Sequence, residues 1–531
     1  MNIKLVNKII FVIDDTTSRI NQSIIVASIA QLLSNTKLKI NIIKIYNYLN
    51  IHTTNLNTSK YEQIYLTSDG LITDFVLGYY EKFTDIKITK DNIITLGQVY
   101  QTIINNKEKS EYLDKTIQII PYITNEIIKL ILKNSDQYDI TICEISDINS
   151  NIESMIYMEV IRQLKVKFSN QICIILLTYI LFLEKSKKFK TKLAKYSINS
   201  LLDFGIKADF IFCKYDKIIS KIDFIDKIAL YSNIYKNRIF LAPNIDNIYK
   251  LPYIFLKQDV HKKILKLLNI TKYQENFLSI TKMYTIINNL QNTVIINIII
   301  IKELTYISLS NALKHAAYNL GYNIKFNCIN IKNINKESLI NLLVKNKYAI
   351  LIPGGHGPIG IENKITTLNY ARINNIPCLG ICYGMQLMAI EFARNILNIK
   401  NATTEEIDYT NNLIHIIHKS NINGTLRLGN YETIIKSNSI AYNIYNSTTI
   451  CIEKYRHAYK INTKYRDLFE KNNFIFSGTS EDNKYMVISE IPTLNFYIGV
   501  QYHPEFNSSI FNPNKVLYNF INKAIKYQFN K

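Results

Sequence analysis

The sequence predicts an α/β protein of two domains, each built on a parallel sheet covered by helices. Three observations carry this. Short apolar runs alternate with helix-length segments in both halves of the chain. At 531 residues the chain exceeds what one core usually holds, and it is 47% hydrophobic and 20% charged, as globular proteins are. Finally, a stretch without strand signal, about 269–292, separates two alternating series.

In the first series, residues 8–13 read as a strand, 24–33 as a helix and 38–45 as a second strand. Residues 140–145, 172–177 and 210–213 read as further buried strands, because Ile, Leu, Phe and Cys dominate them, with Thr141 and Glu144 the polar residues among them. The second series begins at Val294, with 350–352 and 376–379 as inner strands. The expected organisation is therefore domain 1–268, connection 269–292 and domain 293–531. No internal repeat or low-complexity tract interrupts it. The longest apolar run, 293–301, is too short for a bilayer, which needs about 20 residues, and fits a buried strand. Residues 1–7 lead directly into a strand-like run rather than a secretion signal. Seven cysteines without a framework pattern fit a reducing cytoplasm, the expected location.

Net charge is +21 and the pI is near 9.3, which ordinarily points to nucleic acid. Here the lysines are spread along the chain rather than grouped. The chain is heavy in Lys, Asn, Ile and Tyr, lacks Trp and has 15 Gly and 9 Pro, the bias of an AT-rich coding sequence. Neither a nucleic-acid nor a membrane partner is expected. A mild attraction for nucleoside triphosphates stays open.

The chemistry concentrates in Leu379-Gly-Ile-Cys-Tyr-Gly-Met-Gln386, answered downstream by Gln501-Tyr-His-Pro-Glu-Phe506. A strand, a sharp turn and a helix follow one another there, with a thiol at the apex between Gly380 and Gly384. Glycines flank it because side chains would crowd the turn. A helix N-terminus favours the thiolate. His503 supplies a base and Glu505 its orienting carboxylate. Gly354 and Gly355, after the strand ending at Ile352, can turn backbone N–H groups towards an oxyanion. A glycine pair is also an ordinary turn, and a lone cysteine is usually an inert core thiol; the combination favours an acyl-transfer site, Cys382-His503-Glu505. The other six cysteines (143, 173, 213, 328, 378 and 451) read as core thiols.

These motifs resemble those of class I (triad) glutamine amidotransferases. Pro353-Gly-Gly-His-Gly357, Ala371-Arg-Ile-Asn-Asn-Ile-Pro377, Gly424-Thr-Leu-Arg-Leu-Gly429 and Tyr455-Arg-His-Ala-Tyr459 narrow the resemblance to the CTP synthase family. Thr67-Ser-Asp-Gly70, Thr73-Asp74, Leu77-Gly-Tyr-Tyr-Glu-Lys-Phe83, Gln118-Ile-Ile-Pro-Tyr-Ile-Thr-Asn125 and Lys190-Thr-Lys192 extend it over nearly the whole chain. It implies a P-loop-like amidoligase (CTP synthetase) domain followed by a class I amidotransferase domain. The implied activity is ATP-dependent amination of UTP, with ammonia taken from glutamine. It further implies Gly355, Tyr383, Gly384, Met385, Gln386 and Glu406 as glutamine contacts. Nucleotide contacts would be Lys44, Asp74, Glu153, Lys190, Lys192, Lys195 and Lys227, and Asp74 and Glu144 would hold Mg2+. GTP as activator and a homotetramer are likewise implied. Read without the family, an acid at a strand end is a solvated cap, and residues 185–195 are a solvated charge run.

The sequence also departs from the pattern. Ala458 replaces the arginine that grips the substrate carboxylate; Arg456 or Lys460 are the candidate substitutes. Pro358-Ile359 replace a tyrosine-arginine pair near Gly357. In the phosphate loop, Ile13-Asp-Asp-Thr-Thr-Ser-Arg-Ile-Asn-Gln-Ser23, every glycine is gone and Gln22 stands where the family has lysine, with Arg19 as the nearest cation. Such loops work because glycines let N–H groups converge on phosphate and lysine neutralises it. Lys195 replaces a glutamine, and 146–151 replaces a glycine-rich segment. A degenerate synthetase that keeps only glutaminase activity, or a non-enzymatic nucleotide-binding or filament subunit, remains the alternative.

Overall fold

A computed structural model describes residues 5, 7–14, 19–51, 64–108, 116–145, 153–216, 223–301, 306–408, 413–420 and 426–529. The chain forms two compact units, Met1–Leu56 with Val76–Thr285, and Asn57–Phe75 with Ile286–Lys531. The stretch 269–292 contains a helix, Leu278–Asn288.

Among the described residues of the first unit, seven strands form one parallel sheet. Their spatial order is Ile239–Pro243, Phe210–Tyr215, Ile172–Tyr179, Lys8–Asp14, Ile140–Ile145, Ile40–Tyr46 and Ile93–Thr95. The central strands are Ile-rich and buried on both faces, which is why they read as continuous apolar runs. The chain leaves Lys8–Asp14 towards one edge and later returns to its other side. The order therefore reverses beside that strand, and in such sheets ligands bind at the carboxyl ends there. Asp14 closes one of these strands and Glu144 is the penultimate residue of another.

The second unit has a nine-stranded sheet among its described residues. Its parallel part runs Asn323–Asn330, Thr293–Ile300, Ala349–Ile352, Cys378–Ile381 and Tyr497–Val500. It continues antiparallel through Met486–Glu490, Ile475–Thr479, Arg427–Ile435 and Ile450–His457. The parallel α/β part matches expectation; the antiparallel extension is an addition. Its outer strands do not alternate cleanly, since Ile450 and Ile452 are exposed while Glu453 and Lys454 are buried, and this is a weaker signal than a solid Ile run. The inner strand predicted at 376–379 lies two residues later, because Pro377 has no N–H to give to the ladder. The hairpin of Ile64–Leu66 with Ile72–Asp74 belongs to this second unit, although the sequence reading placed it with the first.

Two further outcomes concern single properties. None of the seven cysteines is in a disulfide, but Cys328 is exposed on the edge strand Asn323–Asn330 and Cys451 is half-buried, so these two are not core thiols as expected. Burial pushes the thiols of Cys143, Cys173, Cys213 and Cys378 up, which keeps them protonated. Among the described residues, no helix is long and apolar enough to cross a membrane.

Candidate active site

The thiol sits on a strained bend. Cys382 lies between the strand Cys378–Ile381 and the helix Tyr383–Asn395, with φ +51° and ψ −101°. A non-glycine residue there must be held by its surroundings. Its N–H donates to the carbonyl of Val500 at 2.6 Å. A methyl group on Gly384 would come within 2.3 Å of the Ile352 carbonyl oxygen, so the helix packs on the neighbouring strand only through glycine. Nearly buried, the thiol stands at the N-terminal end of a 13-residue helix.

His503 follows the strand Tyr497–Val500, which pairs in parallel with Cys378–Ile381, so base and thiol both lie beyond the carboxyl ends of neighbouring strands. Its Nδ1 is 2.7 Å from Oε1 of Glu505, which leaves Nε2 for the thiol. The His503 N–H donates to the Lys454 carbonyl at 2.8 Å, and the Phe506 ring stacks on the imidazole, 5.4 Å between centroids at 25°. Burial disfavours the imidazolium, but the Glu505 carboxylate and the Cys382 sulfur outweigh it and raise His503 to about 10. Gly354 faces both groups: a methyl there would lie 2.8 Å from Cε1 of His503 and 3.7 Å from Cβ of Cys382. Cys382, His503, Glu505 and Gly354 thus converge, and with Gly355 and Arg456 they line a cleft of about 360 Å³.

Sequence reasoning missed a second partner of the sulfur. Gln501 Nε2 donates to Cys382 Sγ at 3.5 Å, and its Oε1 accepts from Gln386 Nε2 at 3.2 Å. Gln386 also donates to the Tyr459 carbonyl at 3.1 Å, which His457 Nδ1 approaches at 2.9 Å. A line of buried amides therefore backs the thiol. Gln501 opens the same Gln-Tyr-His-Pro-Glu motif as His503, and that adjacency was the available signal.

The residues assigned to glutamine fall into two groups. Tyr383 OH donates to the Gly357 carbonyl at 2.8 Å, and Glu406 Oε1 accepts from the Gly357 N–H at 2.9 Å, so both are anchored at the glycine loop that includes Gly355. Burial and the Glu406 charge push the Tyr383 phenol up. Gly384 and Met385 act differently. Met385 is buried, and a methyl on Gly499 would meet its Cγ at 2.7 Å, so its side chain is core and only its backbone remains for a ligand. Of the candidate substitutes for the arginine missing at Ala458, Arg456 lines the cleft. Lys460 lies over the Tyr485 ring at 4.5 Å and donates to the Lys484 carbonyl. Burial pushes His457 down to about 3, so it stays neutral and is no replacement cation.

The residues assigned to nucleotides are less gathered. Lys44 and Glu144 are fully buried and paired; Ser23 Oγ donates to Glu144 Oε1 at 2.8 Å and Tyr80 OH donates to Oε2. Gln22, in place of the family lysine, donates to the Ile145 carbonyl at 2.8 Å, closing the strand end. Asp14 is buried against Lys214 Nζ at 2.8 Å. Lys190, Lys192, Lys195 and Lys227 are exposed, and Glu153 precedes the helix Ser154–Lys167 at intermediate burial. Asp74 groups with the second unit and Glu144 with the first. Among the described residues, no three of His, Cys, Asp and Glu gather as a metal ion would require. A magnesium ion takes oxygen ligands; Glu144 instead faces an ammonium and two hydroxyls, so this donor set does not fit one. The loop residues 15–18, the segment 146–152 and Gly424-Thr425 lie outside the described residues, as does the side chain of Arg19.

Known proteins place the chain. Residues 8–270 match the family model for the CTP synthase N-terminus, and residues 305–524 match that for glutamine amidotransferase class-I. A CTP synthase of Hydrogenobaculum sp. (strain Y04AAS1) is 36% identical over 532 residues, covering 98% of this chain and 98% of that protein. The glutaminase domain of Trypanosoma brucei CTPS, solved with bound acivicin, is 28% identical; it covers 44% of this chain and 94% of its own, with a TM-score of 0.42. A glutamine amidotransferase from Thermotoga maritima is 12% identical, covering 44% of this chain and 98% of its own, with a TM-score of 0.29. With a parallel-sheet synthetase region ahead of a class I amidotransferase region along the whole sequence, the chain belongs to the CTP synthase family of ligases.

Proposed function

We propose that the protein aminates UTP to CTP at the expense of ATP, with nitrogen from glutamine hydrolysed at Cys382-His503-Glu505. The Cys382 sulfur attacks the side-chain amide carbon of glutamine. The oxyanion that forms is held by N–H groups of Gly354 and Gly355. His503 gives its proton to the departing ammonia and Glu505 keeps the ring oriented; water then cleaves the glutamyl thioester to glutamate, with His503 as base. Gly355, Tyr383, Gln386 and Glu406 position the amino acid, with the backbones of Gly384 and Met385, and Arg456 takes the carboxylate. In the amidoligase domain, 1–268, the UTP 4-oxygen is phosphorylated by ATP, and ammonia displaces that phosphate. Lys44, Asp74, Glu153, Lys190, Lys192, Lys195 and Lys227 are the proposed nucleotide contacts. The amidotransferase domain spans 293–531. We assign the protein to the cytoplasm, with GTP as activator and a homotetrameric assembly. No step is routed through magnesium, because Glu144 is taken by Lys44, Ser23 and Tyr80.

The observation that carries this reading is the thiol on its bend with a carboxylate-backed imidazole beside it. A second reading, a glutaminase whose synthetase half has decayed, is favoured by Gln22, by the buried Asp14–Lys214 pair and by the engaged Glu144. The test supplies UTP, ATP and magnesium with either glutamine or ammonium and measures CTP. CTP from both nitrogen sources supports the first reading. Glutamate release without CTP supports the second, and neither product overturns both.

A further inference from the structure

We propose that Tyr65 is a positioning residue for His503, so that the hairpin Ile64–Leu66/Ile72–Asp74 is a working part of the glutaminase. The inference rests on the glutaminase reading of Cys382 and His503. Tyr65 is 1% exposed, and it reaches the imidazole by two routes that close a ring.

The first route is polar. Lys454, wholly buried, donates from Nζ to Tyr65 OH at 2.8 Å and lies 4.5 Å over the Tyr65 ring. The carbonyl of that same Lys454 accepts the His503 N–H at 2.8 Å. Whatever fixes the buried ammonium therefore fixes the strand Ile450–His457 at the point where it holds the base. The second route is aromatic. Tyr65 meets Phe506 edge-on, centroids 5.6 Å apart at 78°, and Tyr65 OH donates to the Phe506 carbonyl at 3.4 Å. Phe506 in turn stacks on the imidazole. Its neighbour Glu505 is the carboxylate on Nδ1.

The segment's origin makes this more than ordinary packing. Tyr65 lies in the N-terminal half of the sequence, and its segment is covalently continuous at both ends with the first unit, at Leu56 and Val76. Ile64, its neighbour, lines the Cys382 cleft directly. Residues 286–531 alone would thus lack one wall of the cleft and one support of the base.

Removing the Tyr65 hydroxyl loosens both routes, and a ring that wanders from Glu505 loses the interaction that keeps it protonated. The groups facing His503 are Cys382 and Glu505, with His457 near enough to feel its charge and Arg456 on the same cleft. The test measures glutamate release by the full-length chain from about pH 6 to about pH 10. The proteins compared are wild type, Tyr65→Phe, Tyr65→Leu, Lys454→Met and Cys382→Ala. Tyr65→Phe should lower kcat roughly three- to tenfold with the glutamine KM within about twofold. Its alkaline limb should move down by about half to one pH unit. Lys454→Met should show the same split, and the two changes combined should cost less than their product. A Tyr65→Phe protein with wild-type kcat and wild-type alkaline limb overturns the proposal. So does one that only melts earlier, with the limb unmoved. Tyr65→Phe keeps the ring and decides the matter if Tyr65→Leu does not fold. Hydrolysis that persists in Cys382→Ala overturns the glutaminase reading instead, whatever Tyr65 does.

Discussion

Nδ1 of His503 and Oε1 of Glu505 are 2.7 Å apart, two positions along one buried turn. This pair fixes the tautomer of the base, because the ring nitrogen facing Glu505 carries the proton and the other is left for the sulfur.

Glu505→Gln should lower glutamine-dependent kcat by roughly two to four orders of magnitude, since the amide no longer stabilises the imidazolium. His503 is raised from 6.5 to about 10, so it stabilises the fold fully below its unfolded value and loses that contribution as pH rises through about 10. Melting temperature should therefore fall between these pH values in wild type and fall less in Glu505→Gln. Thermal unfolding at several pH values checks the sign; equal slopes would remove the coupling.

Gly354→Ala places a methyl 2.8 Å from Cε1 of His503. The fold should survive, because the imidazole can move, while glutamate release drops by about a hundredfold through misplacement of the base. Circular dichroism together with a glutaminase assay separates the two. Full activity would place His503 elsewhere.

Ala458→Arg restores the cation that the family pattern has at this position. One charge-assisted hydrogen bond, worth about 1.5–3 kcal/mol, should lower the glutamine KM roughly tenfold or more. If Arg456 already holds the carboxylate, Arg456→Met should raise KM by a similar factor, about tenfold. Steady-state kinetics with glutamine reads both, and an unchanged KM in both variants would exclude a cation at this subsite.

Lys44 and Glu144 are 1% and 0% exposed, so either alone would be an unpaired buried charge. Lys44→Met or Glu144→Gln should destabilise the chain by about 3–5 kcal/mol, and the double change by less than either. Urea unfolding measures this; additive losses would mean that the pair is not coupled.

How much of this was legible follows from range. Five strands of the first sheet could be read because apolar residues dominate each, and Ile140–Ile145 was predicted to the residue, whereas the short edge strands Ile93–Thr95 and Ile239–Pro243 were not read. The bend at Cys382 was legible because glycine spacing is a local constraint. The antiparallel extension was not, since strands such as Arg427–Ile435 mix exposed and buried positions and borrow their order from neighbours. The exposure of Cys328 was missed for a related reason: an apolar setting in sequence does not reveal that a strand lies at a sheet edge.

By itself the sequence determined the alternation of strands and helices, the nucleophile on its glycine-flanked turn, and the loss of phosphate-loop glycines at 14–23. These depend on residues within a few positions of one another, where backbone sterics and periodicity act. Only the tertiary structure decided that Gln501 backs the sulfur, that Asp14 is neutralised by Lys214, and that Tyr65 braces a histidine far along the chain. Those contacts form when buried polar groups and rings must find partners after the chain has closed on itself, and local spacing carries no record of which partner that will be.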